Sequence, residues 1–333
     1  MDHLTTTCNS FLNYCLNNRR LAQNTVRVYE MDLHHFTRFL SCEPQLVTDF
    51  KEVSKSTLED YLAALKGYSV KTIKRKFACV RSLFHYLEDQ DKILQNPFLR
   101  FHVNIREPYK VRTAMNIDEI NQLLATAYSE IPSKLNCPID PLILKITSEE
   151  FIWIRDVTIL ELLFAGGLRV SELCCLTFDD INLDTHTIMV HGKGNKERLL
   201  YLENKEVTST LNRYLYFRKK INRQSSHLFL TKFGQMLSTQ AVRNLVTKYA
   251  RLSGVKKNIT PHVFRHTFAT LLLEEGVDIK YIQDFLGHSS ITTTQIYLHT
   301  TNGQKRRIIA SFHPRQKLYF SGNSSEDNVK LTS

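Results

Sequence analysis

Apolar positions recur with a helical period through the first hundred residues. Phe11, Leu12, Cys15 and Leu16 form one set, and Val26, Tyr29, Leu33, Phe36 and Leu40 a second, behind an Asn24-Thr25 pair predicted to cap it. A third helix is predicted over Ser56–Leu65, with Ser56 as cap and Glu59 three residues on. A fourth runs over Val70–Asp89, with Ile73, Phe77, Val80, Leu83, Phe84 and Leu87 on one face. Asn96-Pro97 closes this group. Phe101–Tyr109 reads as an extended linker, because the residue before Pro108 disfavours helix.

The pattern changes after Thr113. A helix is expected at Asn116–Ala127, then a proline-punctuated stretch to about Ser148, then an apolar helix over Phe151–Phe164. Thr187–His191 and Glu197–Tyr201 read as two strands joined by hairpin chemistry in Gly192–Lys196. Helices follow at Val207–Lys220, Thr239–Ser253, Val263–Glu275, Ile279–Leu286 and Asn302–Phe312; the polar tail from Ser321 suggests disorder. The expected organisation is a helical domain over 1–105, a linker over 106–112, an α+β domain over 113–313 and a disordered tail over 314–333. The fold class is mainly α with a small antiparallel sheet.

Composition narrows the function. The 333 residues carry 44 basic and 33 acidic side chains, a formal charge of +11, which favours a polyanionic partner. The longest apolar stretch, Ile159–Gly167, is far short of the roughly 20 residues a membrane span needs, and the amino terminus lacks a signal-like apolar core. Seven cysteines without a C-x-x-C pair read as reduced thiols of a cytoplasmic protein, with Cys174 and Cys175 inside an apolar helix. Charge is uneven: between Tyr61 and Leu87 stand Lys66, Lys71, Lys74, Arg75, Lys76 and Arg81 with no acidic residue. Without i,i+4 acidic partners, that face suits phosphate contact as well as plain solvation.

Four segments of the second domain carry chemistry. Gly166-Gly-Leu-Arg169-Val-Ser-Glu172 places an arginine after a glycine break, with a carboxylate one turn on. Gly192-Lys193-Gly-Asn-Lys-Glu-Arg198 lifts a lysine onto a hairpin tip; it lacks the phosphate-loop spacing. Thr260-Pro-His262-Val-Phe-Arg265-His266 starts a helix with His and Arg on one face, beside unpaired backbone N–H groups. Leu286-Gly-His288 ends another helix, and Tyr297 follows nine residues later.

In this order, the segments resemble those of the tyrosine recombinase (phage integrase) family, and within it the Xer-type recombinases most. The resemblance extends over about residues 5–313. It implies a helical, SAM-like core-binding domain followed by the catalytic domain, and site-specific cleavage and rejoining of duplex DNA through a 3′-phosphotyrosyl intermediate. It also implies residue roles. Arg169 and Arg265 match the pair that holds the phosphoryl oxygens, His262 and His288 the two histidine positions, and Lys193 the lysine that protonates the departing 5′-oxygen. Tyr297 matches the nucleophile, and Glu172 an acidic position that orients Arg169 or His262. Lys71, Lys74, Arg75, Lys76 and Arg81 become candidate DNA contacts. No cofactor and no catalytic metal is expected.

The implied partner is duplex DNA with an inverted-repeat core site, held by a homo-tetramer or by one shared with a paralogous recombinase. Asn302–Phe312 would dock on a neighbouring subunit. The segment 129–150 departs from the compact Xer pattern as an insertion, and Phe164-Ala-Gly-Gly is unusually rich in glycine; both favour a mobile-element recombinase over a housekeeping one. Two other classes compete: a catalytically silent DNA-binding relative and a type IB topoisomerase-like enzyme.

Overall fold

The structure is a computed structural model and describes residues 3–42, 46–101, 113–132, 135, 146–192, 197–221, 225–287 and 302–317. The chain divides into two compact units, Met1–Lys110 and Val111–Ser333. The expected linker, residues 133, 134 and 136–145 of the 129–150 insertion, and the tail beyond residue 317 lie outside the described residues.

The first unit is built from α1 (His3–Asn17), α2 (Gln23–Ser41), α3 (Lys55–Ala64) and α4 (Val70–Asp89). Its core is rich in rings: Phe36, Phe50, Tyr61, Phe84 and Phe98 form a chain of centroids 4.8 to 6.5 Å apart. Two starts differ from expectation. α2 begins behind Ala22, with no side-chain cap, so Asn24 and Thr25 lie inside it. α3 is capped by Ser54 rather than Ser56, because Thr57 at the third helical position returns a bond to the Ser54 backbone. Glu59 pairs with Lys55 instead.

The basic face of α4 also needs correction. Asp32 of α2, only 1% exposed, takes ion pairs from Arg75 and from Lys76, whose Nζ lies 3.3 Å away. Lys76 is itself buried, so its charge serves the unit's interior and is not offered to a phosphate. Arg81 lies over the Phe98 ring. The acidic partner absent from α4 is thus supplied by another helix.

The second unit surrounds α6 (Ser148–Gly166), which is buried on nearly every face from Phe151 to Gly166 and accordingly runs through the centre. α5 (Ile117–Ser129), the short α7 (Val170–Cys175), α8 (Lys205–Ile221), α9 (Thr239–Leu252) and α10 (Pro261–Glu274) pack around it. A three-stranded antiparallel sheet lies in the order β1 (Ile181–Asn182), β2 (Thr187–His191), β3 (Glu197–Tyr201), with Ile188 opposite Leu200 and His191 opposite Glu197. β1 has two residues, too few to show a period. Cys174 is buried but Cys175, the last residue of α7, is exposed, against the expectation for both.

α11 (Ile279–Leu286) and α12 (Asn302–Phe312) complete the unit. Within the chain, Ile309 of α12 is buried and Ile308 packed in a cluster of Phe268, Leu272, Ile282, Phe285 and Leu286 of the same unit. Arg306 pairs with Glu203 and donates to the Thr185 carbonyl. Beyond α12, Arg315 meets buried Glu161 through Nε at 2.9 Å and Nη2 at 2.8 Å. His313 donates from Nε2 to the Ala165 carbonyl at 2.8 Å and accepts the Arg315 backbone N–H at Nδ1.

Burial pushes the His313 imidazole down to about 4, against the opposing hydrogen bond to Ala165. The neutral ring therefore stabilises the fold above the unfolded value near 6.5, and this contribution is lost as pH falls toward 4. That window corresponds to about 3 kcal/mol. In urea unfolding at pH 7 and pH 4, His313→Gln should lose less stability across the interval than the native chain by about that amount. Equal losses would contradict a neutral, buried His313.

Candidate active site

The site begins where α6 stops. A Cβ on Gly166 would lie 2.7 Å from the Leu200 Cδ2 atom. Gly167 is left-handed, with φ of +53°, and a Cβ there would meet Leu286 and Phe268 side chains at 2.8 Å. The glycine pair thus lets the end of α6 close against β3, α10 and α11 and reverse direction. The turn delivers Arg169 as the residue capping α7. Its backbone N–H donates to Glu172 Oε2 at 2.9 Å, and its Nη1 donates to Oε1 at 2.6 Å.

α10 supplies the second arginine. Pro261 occupies its first turn and Thr260 precedes it, although the threonine side chain makes no capping bond. Arg265 is buried and donates through Nη1 to the Gly167 carbonyl at 2.8 Å and through Nη2 to the Leu286 carbonyl at 2.5 Å. Burial, then the like charges of Arg169 and Arg198, push its guanidinium down to about 10, with Glu172 opposing. It remains a cation at neutral pH. His262, one turn earlier on α10, is exposed to solvent.

A third arginine, which the sequence offered only as the last residue of the Gly192–Arg198 motif, completes the cluster. Arg198 on β3 donates from Nε to the Phe285 carbonyl at 2.8 Å and from Nη2 to Glu172 Oε2 at 2.8 Å. Arg169 Nη2 reaches the Gly287 carbonyl at 3.2 Å. Three guanidiniums therefore take three successive carbonyls at the end of α11, the negative pole of that helix. The signal for Arg198 was the two-residue period of its strand, which sets it on the same face as buried Leu200.

Glu172 is the one carboxylate bonded to these guanidiniums among the described residues. Burial raises its pKa, but the bonds and charges of Arg198 and Arg169 outweigh that and hold it below the usual carboxylate range. Among the described bonds it holds Arg169 and Arg198, and none joins it to His262. Three cations against one anion leave a local excess of positive charge, with guanidinium N–H groups suited to a tetrahedral oxyanion.

Lys193, His288 and Tyr297 lie outside the described residues. The roots of the Lys193 hairpin are described: His191 sits between Asp180 Oδ1 at 2.9 Å and Glu197 Oε1 at 3.1 Å. In the strand register Val190 faces Arg198, so this hairpin springs from the strand pair that carries the third arginine. His288 is next in sequence after Gly287, whose carbonyl Arg169 holds.

Comparisons with known proteins agree with this arrangement. Residues 141–304 match the phage integrase family, and residues 8–91 match the phage integrase N-terminal SAM-like domain. A tyrosine recombinase of Agathobacter rectalis is 38% identical over 323 residues, 96% of this chain and 100% of the relative. Tyrosine recombinase XerD of Listeria monocytogenes serovar 1/2a is 34% identical over 311 residues, 92% and 97% of the two chains. Among solved structures, XerH site-specific recombinase bound to difH substrate, a pre-cleavage complex, superposes with a TM-score of 0.67 at 21% identity, covering 92% of this chain and 95% of that one. A λ integrase (75–356) dimer bound to a COC′ core site gives 0.63 at 18% identity, covering 89% and 99%.

The glycine turn gives a direct test. Gly167→Ala imposes a left-handed conformation that costs an L-residue about 1–2 kcal/mol, in addition to the clash with Leu286 and Phe268. Urea unfolding should show at least that loss, with cleavage activity falling further than stability alone explains. A variant as stable as the native chain would contradict the close approach of α6 to α10 and α11.

Proposed function

The chain belongs to the phage integrase family, the tyrosine recombinases, and from that premise we propose how its residues divide the work of cleaving and rejoining DNA. The enzyme acts in site-specific recombination. Its phosphodiester substrate resists attack because the anion repels nucleophiles and the 5′-alkoxide leaves poorly. Arg169 and Arg265 answer the first problem by binding the two nonbridging oxygens, and they stabilise the charge that grows in the transition state. Each spends one bond per described Nη on the protein, and a guanidinium has five N–H donors.

Tyr297 is the nucleophile: its Oη–P bond forms as the P–O5′ bond breaks, giving a 3′-phosphotyrosine and a 5′-hydroxyl. Lys193 delivers the proton to the departing 5′-oxygen, and His262 and His288 hydrogen-bond the phosphoryl group and help carry off the proton that the Tyr297 hydroxyl loses. One phosphodiester is exchanged for another, so a second strand's 5′-hydroxyl reverses the step without an energy source. The observation that carries this reading is the clustering of Arg169, Arg198 and Arg265, from three sequence segments, on the end of α11.

The DNA is a duplex core site; relatives of this fold are named as bound to a difH substrate and to a core site, and the +11 charge suits the partner. Exchange between two duplexes cuts four strands, and each chain brings one Tyr297. Four copies on two duplexes meet that need.

Two outcomes test the assignment. Tyr297→Phe should bind duplex DNA as the native chain does, but give no covalent band from a nicked suicide duplex on a denaturing gel. A persistent band would mean another nucleophile. On α4, Lys74→Ala should flatten the slope of log K against log salt by roughly 0.9 if one phosphate contact is lost. Lys76→Met should leave the slope alone and lower stability, because it removes a partner of buried Asp32. The opposite pattern would return Lys76 to the DNA-facing set.

A further inference from the structure

We infer that Arg198 is a positioning residue for the cleavage step: it fixes the roll of the Glu172 carboxylate, and through it the guanidinium of Arg169. This rests on the assignment of Arg169 to the scissile phosphate. Oε2 of Glu172 accepts both the Arg169 backbone N–H and Arg198 Nη2, while Oε1 accepts Arg169 Nη1. The carboxylate is therefore spread between two arginines instead of closing side-on over one. A buried carboxylate freed of one partner pairs bidentately with the other. That motion would draw Arg169 inward, away from the anion it must meet.

The remaining bonds of Arg198 make it a three-way tie. Nε holds the Phe285 carbonyl, and its Cδ lies 3.3 Å from where a Cβ on Gly287 would be. Gly287 itself is left-handed, with φ of +61°. Arg198 thus fastens β3, which continues the Lys193 hairpin, both to the α7 start that carries Arg169 and to the α11 end that leads to His288. Its side chain is 11% exposed and Glu172's is 4%, so the pair forms a closed support behind Arg169, which is 33% exposed. Arg265 shares the same helix end but does not touch Glu172 among the described bonds.

A double-mutant cycle on the full-length chain tests this. The probe is a labelled, nicked duplex carrying the sequence that the chain selects from a random DNA pool. Binding is measured by titration, and single-turnover cleavage at saturating protein. Arg198→Met and Glu172→Gln should each slow cleavage about 10- to 100-fold, the size of one hydrogen bond to a charged group, with DNA affinity unchanged. The double variant should be no slower than the slower single one, because the two residues act on Arg169 as a unit. Multiplying effects would overturn the proposal, as would a loss confined to binding. If Arg198→Met does not fold, Arg198→Lys replaces it in the same cycle: it keeps the charge but cannot span both acceptors, and the same criteria apply. Arg169→Ala serves as the reference. If that variant cleaves as the native chain does, the site assignment itself fails; if it is inactive and the cycle is additive, only the role of Arg198 fails.

Discussion

The end of α11 is where this catalytic unit is held together. Its last carbonyls, from Phe285, Leu286 and Gly287, have no partners within the helix and each takes a guanidinium from a different element: Arg198 of β3, Arg265 of α10 and Arg169 at the start of α7. The arrangement answers two needs at once. The helix end obtains donors for its orphaned carbonyls, and three like charges gain a common negative pole that, with Glu172, offsets their repulsion. What remains is a preorganised cationic surface, whose cost is met in folding and not at the moment of reaction.

The surrounding structure follows from that contact. Two glycines are required where α6 meets Leu200, Phe268 and Leu286, because any side chain would push the α7 start away from α11. α12 then covers Phe268, Phe285 and Leu286 from outside, and the buried His313 and Arg315 bind Ala165 and Glu161 of α6. Glu161 and Arg315 are each within 1% of full burial and bonded through both carboxylate oxygens. Removing Arg315 would leave the Glu161 charge uncompensated inside the unit. The carboxyl-terminal residues are thus part of the packing that holds the end of α6, and through Gly167 they support Arg265.

Much of this was readable from periodicity. α4, α11, α12 and the β2–β3 pair fall where the apolar pattern puts them. Arg169, Glu172 and Arg265 carry recognisable spacing and do converge. The misplaced cap of α3 arose because Ser54 and Ser56 lie within one turn and only the reciprocal bond of Thr57 separates them. Asp32 pairs with Arg75, 43 residues away in sequence, and with Lys76 beside it, beyond any i,i+4 rule. Arg198 is a single charged residue in a strand, and its partners come from 26 residues before it and 87 after. Ile308 and Ile309 were identified as an apolar face, but spacing does not say which molecule covers such a face. Among the charged residues, what escaped the sequence were long-range polar contacts.

We propose that the arginines gathered on α11 form the phosphoryl site. It is tested most directly by a crystal structure of the chain on its core DNA with vanadate replacing the scissile phosphate, joined to Tyr297 and to a 5′-hydroxyl. Guanidinium nitrogens of Arg169 and Arg265 should lie about 3 Å from the nonbridging vanadate oxygens. They should still hold the Gly287 and Leu286 carbonyls, with Arg198 remaining on Glu172. A vanadate bound out of reach of both arginines, or arginines that leave α11 to bind it, would contradict the claim.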